Sequence, residues 1–129
     1  MRKTALLLLA YIFCTVSVCG QTSYFADGIY YYLLGKNATV VKSPDVLYAG
    51  EITIPSTIEY SGKQFNVKGI SSYAFYNCEE LTSITLPDGL TTISEHAFDN
   101  CTGLTSIEIP NSVTTIEKSV FSNCTGLTS

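Results

Sequence analysis

Beyond Arg2 the chain contains no arginine, and beyond Lys3 only Lys36, Lys42, Lys63, Lys68 and Lys118 stand against eleven acids. A nucleic-acid partner needs a basic stripe that neutralises phosphates, so no nucleic acid is expected among the partners. Adsorption to an acidic membrane surface is disfavoured for the same reason. Histidine occurs once, at His96, and no CxxC pair is present, which removes the usual spacing of a zinc site. The glycines form no phosphate-binding loop, and the aspartates form no calcium loop. Apart from one run near the N-terminus, no stretch is apolar enough to span a membrane. These shortages leave little material for a catalytic centre: no enzyme activity, catalytic residue, metal or cofactor is expected.

The exception at the N-terminus has a recognisable anatomy. Arg2 and Lys3 precede an apolar run over residues 5–18, which small residues close. This is the pattern of a secretory signal over residues 1–20. Val18 and Gly20 suit the −3 and −1 positions, leaving Gln21 as the mature start. A competing reading makes Cys19 a lipid anchor, although Val18 stands where a lipidation motif prefers Gly, Ala or Ser. A third reading keeps the segment as an uncleaved anchor. In each case the chain is exported, to the cell surface, the medium or the periplasm, and no part after this segment inserts into a membrane. With the segment removed, five lysines and eleven acids give a net charge of −6.

What the chain has in quantity is self-similarity. Residues 70–92 laid over 93–115 are identical at 13 of 23 positions, and residues 93–106 laid over 116–129 at 9 of 14. The frame reads I-x-x-x-[AV]-F-x-N-C-x-x-L-T-S-I-x-[LI]-P-x-x-[LV]-T-T. A fixed period of this length marks a solenoid, in which each unit buries its apolar face only against its neighbours. Within a unit, Leu81, Ile84 and Leu86 alternate as in a strand that Pro87 ends. Thr91-Thr92-Ile93 reads as a second short strand. Residues 94–100 read as a helical or 3₁₀ turn that inserts Ala97 and Phe98 into the core. The expected class is therefore an α+β repeat of short parallel strands and short helical turns. The last copy breaks off at Ser129, so the chain is expected to be a fragment or a truncated reading frame, which downstream sequence would decide.

The period also interprets the cysteines. Cys78, Cys101 and Cys124 occupy one position in successive units and should stack in a ladder. Adjacent strands lie about 4.8 Å apart, but side chains in register point the same way, which is poor disulfide geometry. Buried free thiols acting as small hydrophobes are expected. His96 has Tyr73 and Ser119 as its counterparts and so occupies a variable surface position. Glu79-Glu80 lies in a turn whose next copy is Thr102-Gly103, which argues against a paired-acid site. Asn37, Asn100 and Asn123 begin glycosylation sequons in form only.

Ahead of the regular units, Ile52-Thr53-Ile54-Pro55 matches Ile84-Thr85-Leu86-Pro87, so a divergent first coil is expected. Nine inserted residues follow it, and alternation on either side of Ser61-Gly62-Lys63 reads as a hairpin. Another hairpin is expected upstream, with Ile29–Leu34 and residues 38–41 joined by Gly35-Lys36-Asn37. The domains are thus 1–20 signal peptide, 21–50 N-terminal β-hairpin cap and 51–129 repeats, incomplete at the C-terminus. Six of the eight tyrosines after residue 20 lie between Tyr24 and Tyr60. They either cover the apolar end of the first coil or form a platform for sugars. Because successive strand residues face opposite ways, at least one of Tyr30, Tyr31 and Tyr32 should be accessible.

The frame, carried by Ala74-Phe75, Asn77-Cys78, Leu81-Thr82-Ser83-Ile84, Leu86-Pro87 and Ile93 and their copies, closely resembles BspA-like leucine-rich repeats of bacterial and some protist surface proteins. The resemblance covers about residues 50–129, with Val120 in place of the usual alanine. It implies a leucine-rich-repeat solenoid with a concave strand surface displayed outside the cell for adhesion or ligand capture, and it does not imply catalysis. Outward strand residues Ser83, Thr85, Ser106 and Glu108, with Thr82 and Thr105, are the candidate ligand-facing set, hydroxyl-rich and mildly acidic. The expected function is a non-enzymatic interaction surface for protein or glycan. The alternatives are a carbohydrate-binding module using Tyr30, Tyr31 and Tyr32, and the non-catalytic part of a larger exported enzyme.

Overall fold

The structure, a computed structural model, describes residues 17–18 and 21–128. The expected leader and Cys19 lie largely outside the described residues; only β1 (Ser17–Val18) falls within them, paired antiparallel with the start of β2 (Gln21–Ala26).

The upstream hairpin is one half of a larger element. β2, β3 (Ile29–Leu34) and β4 (Asn37–Val41) form a three-stranded antiparallel meander. Asp27 and Gly28 join β2 to β3, both at positive φ (49° and 88°). That two-residue turn matches the twist of its flanking strands, and Asp-Gly is a preferred sequence for it. The inserted hairpin is β6 (Thr57–Tyr60) and β7 (Lys63–Ile70), joined by Ser61 and Gly62 at φ 55° and 76°.

The meander does not sit on the solenoid as a separate lid. β4 pairs in parallel with β7, β7 with β9 (Thr92–Ile93), and β9 with β10 (Thr115–Ile116). Val40, Ile70, Ile93 and Ile116 stand opposite one another across this ladder. The same backbone bond recurs at each step: Ser71 N–H to Val40 O, Ser94 N–H to Ile70 O, and Glu117 N–H to Ile93 O, at 2.9–3.0 Å. β4 therefore serves as the first rung of the stack.

A second, two-stranded parallel sheet pairs β5 (Gly50–Thr53) with β8 (Leu81–Thr85). Its register slips between Gly50 and Glu51, so Gly50 faces Leu81 while Glu51 faces Ser83. Thr82 is the extra residue of this bulge. The slip explains how Leu81 and Ile84, three apart, both reach the core when strict alternation would turn one of them outward.

The helical turn expected over residues 94–100 is not observed, and no helix occurs among the described residues; this corrects the α+β assignment to strands and turns. The cause is local. His96 and Asn100 take φ of 57° and 67°, as do Tyr73 and Asn77 one period earlier and Ser119 and Asn123 one period later. A left-handed residue every few positions reverses the chain before a right-handed helix propagates. Asparagine tolerates that conformation, which accounts for the Asn of every Asn-Cys pair. Bonds from residue i to i−3, such as Ala97 N–H to Ser94 O and Cys101 N–H to Phe98 O (both 3.2 Å), close a run of tight turns. The alternate amides bond between coils: Phe75 N–H to Ala97 O (2.8 Å), Asn77 N–H to Asp99 O (3.0 Å), Phe98 N–H to Val120 O (2.9 Å). Asn100 Nδ2 adds a side-chain rung to Asn77 Oδ1 at 2.7 Å.

The core consists of columns of equivalent residues. Phe75, Phe98 and Phe121 stack with ring centres 5.0 and 5.7 Å apart and planes within 9°. Tyr48 closes the N-terminal end of that column 4.8 Å from Phe75. Its hydroxyl donates to Val41 O at 2.8 Å and accepts from Tyr30 N–H at 3.0 Å. Cys78, Cys101 and Cys124 are free and buried. Cys101 and Cys124 direct Sγ–H to the carbonyls of Phe75 and Phe98, both at 3.0 Å. Burial falls off along the stack: Ile70 and Ile93 are fully enclosed, whereas Ile116 is 47% exposed.

Candidate interaction face

The apolar residues of the frame are committed to core columns, whereas its repeated Thr-Ser pair and the varying Thr85 and Glu108 lie on the outward side of the β5–β8 sheet and its continuation in residues 104–109. Thr82, Ser83, Thr85, Thr105, Ser106 and Glu108 are all exposed there. The bulge at Gly50/Glu51 puts Ser83 opposite Glu51 and Thr85 opposite Thr53, so β5 extends the face by two side chains, both exposed.

Ser83, Thr85, Ser106 and Glu108 come together along one open groove of about 560 Å³, which Asp88 and Asn111 also line. Its wall includes Ile84, Leu86, Ile107 and Ile109. Ile84 and Leu86 are buried, whereas Ile107 is half-buried and Ile109 exposed, so the apolar component grows along the groove. No backbone hydrogen bond joins residues 104–109 to β8 among the described residues. The two segments are spaced instead by the turns on either side. Gly103 packs so tightly beneath Glu79 that a Cβ there would lie 2.4 Å from the Glu79 carbonyl oxygen. Thr82 and Thr105 flank the groove without lining it.

No lysine lines the groove, so Asp88 and Glu108 give it a negative field. Hydroxyls, two carboxylates, an amide and exposed aliphatic carbon are equipped for hydrogen bonding and apolar contact. The described residues contain no cluster of three or more His, Cys, Asp or Glu able to hold a metal. His96 stacks flat on Tyr73 (4.9 Å, planes within 6°) and pairs through Nδ1 with Asp99 Oδ2 at 2.8 Å. No thiol or histidine reaches the groove.

The tyrosine set is divided. Tyr31 is 1% exposed and belongs to the core, where burial pushes its phenol well above the ordinary tyrosine range. Tyr30 is 8% exposed and Tyr32 half-buried. The three do not share a surface with the groove. Sequence reasoning missed Glu51, Thr53, Asp88 and Asn111. The match of Ile52-Thr53-Ile54-Pro55 to the repeat frame was the available signal for the first two.

The comparisons with known proteins agree with this architecture. The BspA type leucine rich repeat region matches residues 50–129 in six copies. A leucine-rich repeat protein from Bacteroides ovatus superposes with a TM-score of 0.71 at 30% identity, covering 81% of this chain and 28% of that one. A leucine rich cell surface protein from Faecalibacterium prausnitzii gives 0.71 at 29% identity, covering 83% and 29%. A leucine-rich repeat protein from Bacteroides capillosus, 18% identical, shares the fold at a TM-score of 0.63. Among curated proteins none matches the chain. This chain thus spans 28% and 29% of the length of the first two. With the repeat description covering the whole stretch from β5 to the last turn, and the ladders it requires in place, the chain belongs to the BspA-type leucine-rich repeat family.

Proposed function

We propose that this protein is an exported, non-enzymatic interaction module that binds a partner protein through the β5–β8 face, at the cell surface and in the service of adhesion or ligand capture. One observation carries the reading: six outward residues on successive strand segments are free of the core, and four of them line one groove. Repeat proteins build extended concave binding surfaces this way, from equivalent outward positions of successive units. The similarity to a leucine rich cell surface protein of F. prausnitzii supports the placement. A leader over residues 1–20 is part of the proposal, and lipidation of Cys19, which needs cleavage before that residue instead, is its alternative.

A panel of immobilised extracellular matrix proteins, run beside a glycan array, tests it. Ser83→Arg with Ser106→Arg fills the groove and cancels the charge of Asp88 and Glu108. Capture of a matrix protein should fall at least tenfold, while unfolding temperature stays within about 2 °C because both positions are exposed. Binding to sugars with none to proteins, or capture indifferent to the two arginines, would count against the reading.

A further inference from the structure

A second concavity, of about 510 Å³, opens between the β2–β3 turn, residues 43–49 and β5. Local geometry fixes its polar groups. The positive-φ Asp27-Gly28 turn carries the Asp27 carboxylate at its tip. Ser43, buried, accepts the Val46 N–H on Oγ at 3.3 Å and so folds the turn that presents Asp45. Glu51 enters from β5. All three carboxylates are exposed, and no ion pair involves any of them among the described residues. No basic residue lines the cavity.

The wall between them is aromatic. Phe25 and Tyr30 lie 4.8 Å apart with planes at 53°. Tyr30 is more than nine-tenths buried, yet its hydroxyl has no hydrogen-bond partner among the described residues. No buried side-chain polar atom lacks a partner in the described structure, so that oxygen is reached by solvent, and Tyr30 lines the cavity. Asp45 is close enough to act on it, raising the phenol after burial has already done so. At the rim, Val46 (72% exposed) and Leu47 (53% exposed) are two of the largest apolar exposures in the described chain. Ring faces, an accepting hydroxyl, unpaired carboxylates and an aliphatic lip form a complementary set for a cation on an apolar stem.

We propose that this cavity is an anchor pocket for a lysine or arginine side chain of the partner protein that lies along the β5–β8 face. β5 links the two places: Glu51 and Thr53 line the pocket and stand opposite Ser83 and Thr85 of the groove. The inference rests on the protein-binding reading, and its test is separate from that one.

Titrate the full ¹⁵N-labelled chain with Nα-acetyl-lysine methylamide and Nα-acetyl-arginine methylamide, following backbone amide shifts. Neutral Nα-acetyl-norleucine methylamide and methyl glucoside serve as comparisons. The cationic probes should shift the amides of Gly28, Tyr30, Val46 and Leu47. Asp45→Asn with Glu51→Gln should weaken them about twofold to thirtyfold, the span that loss of two exposed charges at about 0.2–1 kcal/mol each gives. Tyr30→Phe should weaken them about twofold to threefold, whereas Glu79→Gln with Glu80→Gln should leave them unchanged. Equal response to norleucine, response to glucoside alone, or shifts spread over the acidic surface and indifferent to Asp45 and Glu51, would overturn the pocket. Ser106→Arg alone, at a position that does not face β5, tests protein binding apart from these residues, so either idea can fail alone.

Discussion

At Cys101 the thiol is enclosed on every side, donates to the Phe75 carbonyl, and has Cys78 and Cys124 in the same column. Burial, reinforced by those two neighbours, pushes its pKa up to about 12, from an ordinary 9.0. Cys78 and Cys124 are raised for the same leading reason. Between pH 9 and 12 the unfolded chain therefore loses thiol protons that the folded chain retains. Folding then binds more protons than unfolding, so stability is flat below about pH 8 and declines above 9, by about 1.4 kcal/mol per pH unit for each such thiol. Urea titrations at pH 8 and pH 10 should show this decline, and Cys101→Ala should make it shallower. Equal stability at the two pH values would contradict the assignment. The Asn-Cys pair shows the same economy at residue level: asparagine supplies the left-handed turn and the inter-coil amide bond, and the next residue supplies a small apolar group with a weak donor.

At the scale of elements, the turn run sets the spacing of coils. Gly103 is required by close approach: it has no positive φ, but its Cα faces the Glu79 carbonyl. Gly103→Ala should cost about 1–3 kcal/mol through overpacking, which thermal unfolding would register as a drop of several degrees. A Tm unchanged by this methyl group would mean the coils are looser than the 2.4 Å approach implies. Much of this level was legible beforehand. The period placed β8 and β9, the apolar alternation placed both hairpins, and the outward hydroxyls of the groove were named residue by residue. Two things were not legible. The turn over residues 94–100 has helix-compatible composition, and only the left-handed φ at His96 and Asn100 distinguishes it from a helix. The pairing of β4 with β7 lies between segments of unlike sequence, so no periodicity advertises it. The anchor pocket was invisible for a related reason: Asp27, Asp45 and Glu51 converge only when a hairpin turn, a loop and a coil strand meet.

For the whole molecule, the junction between meander and coils decides whether the chain unfolds as one unit. Tyr48 spans it, with its ring against Phe75 and its hydroxyl bonded to both Tyr30 N–H and Val41 O. Burial holds that phenol well above the ordinary tyrosine range, so it remains a donor throughout the neutral pH region. Tyr48→Phe keeps the ring and removes both bonds, stranding a buried amide. The expected cost is about 1–3 kcal/mol, with faster hydrogen exchange across β3 and β4 than across β9. Uniform loss of protection in every strand would show that the meander and coils remain coupled without the hydroxyl.

The inter-coil amide bonds have a consequence for how such a chain tolerates change. Each of those bonds joins residues 22 positions apart, from Phe75 to Ala97 and from Phe98 to Val120. Excising one residue from a turn shifts every later donor away from its acceptor, along with its column in the core. Excising the full 23 residues from 93 to 115 brings Ile116 to where Ile93 stood, followed by a stretch identical at 9 of 14 positions. In this architecture the larger lesion is the gentler one, and inheritance by whole turns is built into the hydrogen bonding.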